Sequence, residues 1–227
     1  MKIELKIIQC LIVFAVGFVF FSCTANYYFN EAEKLSEARK YTEAIELFNK
    51  AIEKDTTFLE AYNNRGTAKS AIGDYEGAIK DYQKVLEIDS QNTMAFFNIG
   101  NNYKRLENYQ SAIEYYNKAL DTKGKGPIYF ETVPNPFLGI EGNPSDVPLR
   151  EICYERGIAY YYVDDFQNAI CDFNTALRQN YETAVCHYWL GYIYLALGYI
   201  ESACLHFNSA SLYGDEDARE AMKKYCK

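Results

Sequence analysis

Proline is nearly absent from this chain of 227 residues: there are five, and all fall between Pro127 and Pro148. Proline removes a backbone donor and clashes with the preceding turn, so the proline-free stretches either side of that window can hold long helices around one irregular segment. Clustered positive charge is absent as well. The net charge is -8 and no block of five or six like charges occurs, which excludes nucleic-acid binding, where Lys and Arg must gather against phosphates. There is no Gly-rich phosphate loop, no nucleophile elbow and no carboxylate pair that stands out from a helical surface, so neither enzyme activity nor a cofactor is expected. What remains is an acidic chain rich in aromatics, with 22 Tyr and 14 Phe.

Only one long apolar run exists, from Ile7 to Phe21, behind a weak basic start made by Lys2 and Lys6 and diluted by Glu4. Its length suits a signal-peptide core and is short for a bilayer span, which needs roughly 18 or more residues. Ser22 directly before Cys23 resembles the bacterial lipobox, although Phe20 and Phe21 replace the usual Leu and small residue. That resemblance implies a signal peptide over 1–22, lipid attachment at Cys23 and a protein of the bacterial cell envelope, anchored to a membrane and facing the periplasm or the surface. The alternative is an uncleaved single-span anchor from Ile7 to Ala25 in a thin bilayer.

Beyond this segment the chain repeats itself. Gly66 and Gly100 are 34 residues apart, and so are Gly157 and Gly191. Twelve residues after each stands an alanine (Ala78, Ala112, Ala169, Ala203), four further an aromatic (Tyr82, Tyr116, Phe173, Phe207), three further Val85, Ala119, Ala176 or Ala210. Ala32, Ala44, Phe48 and Ala51 continue the register backwards. Small residues let two antiparallel helices approach, and the aromatic and second small residue make one apolar stripe on the second helix.

The pattern resembles the tetratricopeptide repeat, with units at 25–58, 59–92, 93–126, 150–183 and 184–217. The resemblance implies an all-α solenoid of about five helical hairpins that binds other proteins or peptides in a concave groove. Residues Asp217 to Tyr225 read as one further helix, and 218–227 are assigned as the capping helix that closes the solenoid with a polar outer face. Glu31 and Arg65 occupy a position usually held by leucine, which predicts looser packing at the N-terminal end.

The register breaks between Leu120 and Leu149, where 127–149 form a Pro-rich insert carrying Phe130, Phe137 and Leu138. So long a loop is uncommon, and its apolar residues suit either a cover for the third unit or a binding role. Ser145 to Pro148 read as an N-cap followed by a first turn that tolerates proline.

In the resembled family the groove is lined by repeat positions two, five, nine and twelve. Here this row is polar in units one and two (Asn63 among them) and passes through Asn101 and Lys104, beside Arg105, in unit three. In units four and five it turns aromatic, with Tyr154, Ile158, Tyr161, Tyr188 and Tyr192, and Tyr162 adjoining. These ten residues are the candidate peptide- or protein-binding set. Phe29 and Glu33 stand where a basic carboxylate clamp would need Lys and Asn, so an apolar or extended peptide suits the row better than a charged tail.

Cys153, Cys171, Cys186, Cys204 and Cys226 all lie in the last two units and the cap. They read as small packing residues, with one disulfide allowed outside the cytoplasm. The two histidines, His187 and His206, adjoin Cys186 and Leu205. Neighbouring helical residues point about 100° apart, and no ligand pair shows an i, i+4 spacing, so no metal site is expected.

Overall fold

The computed structural model describes residues 24–122 and 147–226, and every regular element among them is an α-helix. The first is α1, over 24–37. Then follow α2 (Tyr41–Lys54), α3 (Leu59–Ala71), α4 (Tyr75–Ile88), α5 (Thr93–Arg105), α6 (Tyr109–Asp121), α7 (Leu149–Tyr162), α8 (Phe166–Arg178), α9 (Thr183–Ala196), α10 (Ile200–Leu212) and α11 (Glu216–Tyr225). Consecutive helices pair as five hairpins, and α11 packs on α10. The chain divides into two compact units, Met1–Gln91 and Asn92–Lys227.

The repeat pattern does in space what its residue sizes require. At each repeat glycine the ring of the aromatic sixteen residues later lies against the backbone. A Cβ on Gly191 would meet Phe207 at 2.5 Å, and one on Gly100 would meet Tyr116 at 2.7 Å. Phe48, Tyr116, Phe173 and Phe207 are completely buried, as are the alanines of the second helices. Deleting one such ring would cost about 3–5 kcal/mol. Burial also pushes the Tyr82 phenol up to about 12, while the Thr67 hydroxyl 3.0 Å away holds it in place.

Local signals set the helix starts. Asp74, Asn108 and Asp165 are N-caps whose side chains accept from the backbone N–H of Gly77, Ser111 and Asn168. Each cap is worth about 1 kcal/mol. At the same point of the fifth hairpin stands Tyr199, which makes no side-chain cap.

The first unit packs more firmly than its sequence suggests. Arg65 grips both carboxylate oxygens of buried Asp81, at 2.9 and 2.5 Å, and donates to Asn49 of α2 at 2.7 Å. Lys69 also reaches Asp81, at 2.8 Å. The leucine position has been filled by a guanidinium fork whose partners come from two hairpins, so the expected looseness at Arg65 is not found.

The same device recurs in the second unit and spans the interrupted register. Arg156 of α7 grips Asp172 of α8 with two bonds of 2.8 Å and donates to Asn117 of α6 at 2.6 Å. Tyr162 of α7 stacks on Tyr109 of α6, with centroids 4.4 Å apart and planes 8° from parallel. Hairpins three and four therefore pack as ordinary neighbours. Most of the 127–149 insert lies outside the described residues. Its end is described: Val147 is buried against the Tyr116 core, and Pro148 is the N-cap residue of α7. Proline thus precedes the helix rather than occupying its first turn. Its fixed φ and extended ψ of 142° aim its carbonyl into the new helix, where it accepts from Glu151 and Ile152.

Candidate protein-binding surface

Asn63 lies on α3 of the first unit, where its amide donates to Asn64 and its carbonyl accepts from Thr67. The other nine candidates lie in the second unit, on α5, α7 and α9, and these first helices contact one another in order. The fold therefore gathers them along one row.

The α5 end of that row is polar and already engaged. Asn101 accepts from the buried Tyr116 hydroxyl at 2.7 Å. Lys104 pairs with Glu155 of α7, which neutralises the basic charge that a carboxylate clamp would need. Arg105 is exposed.

The α7 and α9 end is a continuous aromatic sheet. Tyr161 lies 4.9 Å from Trp189, centroid to centroid, and Trp189 contacts Tyr162 and Tyr188. Tyr188 and Tyr192 meet edge to face at 5.0 Å, and Tyr192 continues to Tyr225 of α11. Trp189 links the tyrosines of neighbouring helices and was missed in the sequence, because it stands one residue off the row.

Apart from Tyr162, which is exposed, these rings are half-buried rather than free. Tyr154, Ile158 and Tyr161 lean on the Phe173 core, and Tyr188 and Tyr192 on the Phe207 core. Burial raises the pKa of Tyr154, Tyr161 and Tyr188, so all present neutral hydroxyls at the surface. No residue of α9 is charged over its whole length, Thr183–Ala196. Such a surface offers apolar ring edges and hydroxyl tips, which suits main chain and apolar side chains of a partner.

The cysteines divide by environment. Cys153 and Cys186 are buried and reduced, with thiols pushed by burial up to about 12, so they are inert packing residues. Cys171 is exposed. Cys204 and Cys226 form a disulfide that ties α10 to the residue after α11.

The two histidines are brought together, which their sequence spacing concealed. His187 of α9 and His206 of α10 face each other with Nδ1 atoms 3.0 Å apart. One ring must donate and the other accept, so the two Nδ1 atoms share a single proton. Burial lowers the pKa of each, and the neighbouring imidazole adds to it for His206, which falls to about 4. Tyr194 stacks on His206 and Tyr213 lies parallel to His187. Among the described residues no group of three or more His, Cys, Asp or Glu side chains could hold a metal ion.

Two tetratricopeptide repeat family profiles match, over residues 57–124 and 154–222. The chain belongs to the tetratricopeptide repeat family, and its fold is the all-α solenoid of that family. Solved structures agree over nearly the whole length. MamA (41-end) from Desulfovibrio magneticus matches with a TM-score of 0.69 at 18% identity, covering 83% of this chain and 93% of that one. YrrB, described as a TPR protein with an unusual peptide-binding site, gives 0.66 at 21% identity, with coverages of 87% and 90%. PilW, described as a widely conserved type IV pilus biogenesis factor, gives 0.61 at 16% identity, with coverages of 82% and 76%. No curated protein matches this chain.

Proposed function

We propose that this protein is an envelope-anchored scaffold that holds partner proteins or peptides on the aromatic row of α7 and α9. A role in protein–protein interaction follows from the family; the particular surface, the anchor and the location are our reading. The observation that carries the surface is the run of rings from Tyr161 through Trp189 to Tyr188 and Tyr192 on an uncharged helix. Buried aromatic anchors of this kind dominate protein interfaces. The relation to YrrB and PilW is consistent with peptide binding and with envelope assembly, as their descriptions stand for those proteins.

Two features favour a location outside the cytoplasm. One is the Ser22–Cys23 junction after an apolar run, which lies outside the described residues. The other is the Cys204–Cys226 disulfide, since such bonds persist in oxidising compartments and are rare in the cytosol. No helix among the described residues is long and apolar enough to cross a membrane. In this reading the N-terminal segment carries the anchor, through lipid on Cys23 or an uncleaved span.

Fatty-acid labelling decides between the anchors: Cys23→Ser should abolish the label and slow processing, and unchanged labelling and mobility would point to the uncleaved span. For binding, affinity capture from solubilised membranes should lose its partners with Tyr161→Ala/Tyr192→Ala. Both rings lean on cores, so the double variant will melt earlier, and capture must be measured well below its midpoint. Full capture there would place the interaction on another face.

A further inference from the structure

The outer face of α10 departs from the outer faces of the other four second helices. At two repeat positions seven residues apart, the other hairpins expose Glu46 and Glu53, Lys80 and Glu87, Glu114 and Asp121, and Cys171 and Arg178. The fifth hairpin has Leu205 and Leu212 there, 70% and 80% exposed, the most exposed of the large hydrophobics among the described residues. A spacing of seven brings both to one side of the helix, about 10 Å apart along its axis. Leucines standing in water, at positions where the sibling hairpins carry charged side chains and in one instance a cysteine, are not needed for packing the repeat. They are the signature of a contact surface.

We propose that this face is where two copies of the chain meet, antiparallel, with α10 lying along α10 of the partner copy. Three observations select a second copy over an unrelated protein. First, the face is self-complementary: a two-fold axis near Asn208 sets Leu205 of each copy against Leu212 of the other. Second, Asn208 is exposed at the centre, and a carboxamide both donates and accepts, so it can pair with its own copy across the axis. Third, charge permits pairing there. The chain carries a net charge of -8, which sets copies against each other, yet the one acidic residue of α10 is Glu201, in its first turn. Antiparallel pairing holds the two Glu201 side chains at opposite ends of the contact. Two leucines per copy make a contact smaller than the roughly 800 Å² per partner of a standard interface, so the dimer is weak and reversible.

Position-specific crosslinking tests this in the full chain, solubilised in detergent, in a Cys10→Ser/Cys171→Ser background, which removes the exposed thiol among the described residues and the cysteine of the apolar run, with the Cys23 background read from the control. Asn208→Cys should form a covalent dimer under mild oxidation, because the two introduced thiols meet at the axis. Lys80→Cys, on the corresponding outer face of α4, serves as the control. The yield at Asn208→Cys should exceed the control at least about tenfold, and Leu205→Glu/Leu212→Glu should return it to the control level. Both leucines are exposed, so that double variant should keep its helical circular dichroism. Equal yields at the two positions would overturn the proposal, as would a yield untouched by the glutamates. Either result would mean that the face serves a different protein, a lipid surface or the chain's own remaining residues.

Discussion

The second and fifth hairpins are built on the same packing frame and finished with opposite chemistry. In both, a glycine on the first helix receives the aromatic of the second: Gly66 with Tyr82, Gly191 with Phe207. Everything around that frame differs. The second hairpin places Arg65 and Lys69 on buried Asp81, caps its second helix with Asp74 and faces water with charge. The fifth replaces Arg65 with buried Leu190, the carboxylate with His206, the cap with Tyr199 and the outer charges with Leu205 and Leu212. The two hairpins share the glycine–aromatic contact while the positions around it vary, so those positions can take on recognition in one hairpin and packing in the other. The hairpin that gave up ion pairs and caps holds the α9 half of the aromatic row, one cysteine of the disulfide and the apolar outer face.

Exchanging the chemistry of the two hairpins should break this comparison most severely. Leu190→Arg puts a guanidinium at a fully buried position where His206 stands in place of Asp81, and should cost at least about 4 kcal/mol. Arg65→Leu leaves Asp81 with Lys69 alone, and should cost about 3 kcal/mol. Urea unfolding of the two variants measures both. Equal, small losses would show that the two hairpins tolerate either chemistry.

The disulfide comes next. Cys204 and Cys226 are 22 residues apart, and closing a loop of that size stabilises by about 3 kcal/mol through the unfolded chain. Reducing it, or Cys226→Ser, should fray α11 while α3 and α4 stay protected in hydrogen exchange. Unaltered protection of α11 would mean that packing alone holds the cap.

Acid sharpens the contrast with a smaller, graded effect. The His206 imidazole sits near pH 4 in the fold, below its ordinary 6.5, because burial and His187 disfavour its charge. The unfolded chain therefore takes up protons first as pH falls. Stability is full above about 6.5 and declines progressively toward 4. Amide protection corrected for intrinsic rates should fall between pH 7 and 5 in α9 and α10, and hold in the second hairpin, which has no histidine. A parallel decline in both hairpins would remove the histidine pair as its cause.

The repeat and its hairpins were legible from the glycines and the aromatics sixteen residues on, because that spacing is a steric demand. The Arg65–Asp81–Asn49 and Arg156–Asp172–Asn117 networks were legible in principle, since each Asp follows its Arg by sixteen, while Asn49 precedes Arg65 by sixteen and Asn117 precedes Arg156 by 39, the insert lying between. The first stayed hidden because the leucine position of Arg65 was read as an apolar requirement, and the second because Arg156 was not singled out. His187 and His206 escaped because their contact runs between antiparallel helices at a spacing of nineteen, which no single-helix rule detects. The candidate row was found as a row, but its half-buried state was not, since one helix face cannot show how far a ring leans over the neighbouring core. Trp189 carries the continuity of that row and shows it only once α7 and α9 are side by side.

The central claim is that partners rest on the aromatic face of α7 and α9, and photo-crosslinking tests it with little loss of packing. A benzophenone amino acid in place of Tyr161 or Tyr192 keeps an aromatic ring at each position. The same probe at Tyr75, on the second helix of the second hairpin, serves as the comparison. Irradiation in cells should give the same discrete heavier species from Tyr161 and Tyr192 and none of it from Tyr75. Crosslinks from Tyr75 alone, or equal crosslinks from all three, would contradict the account.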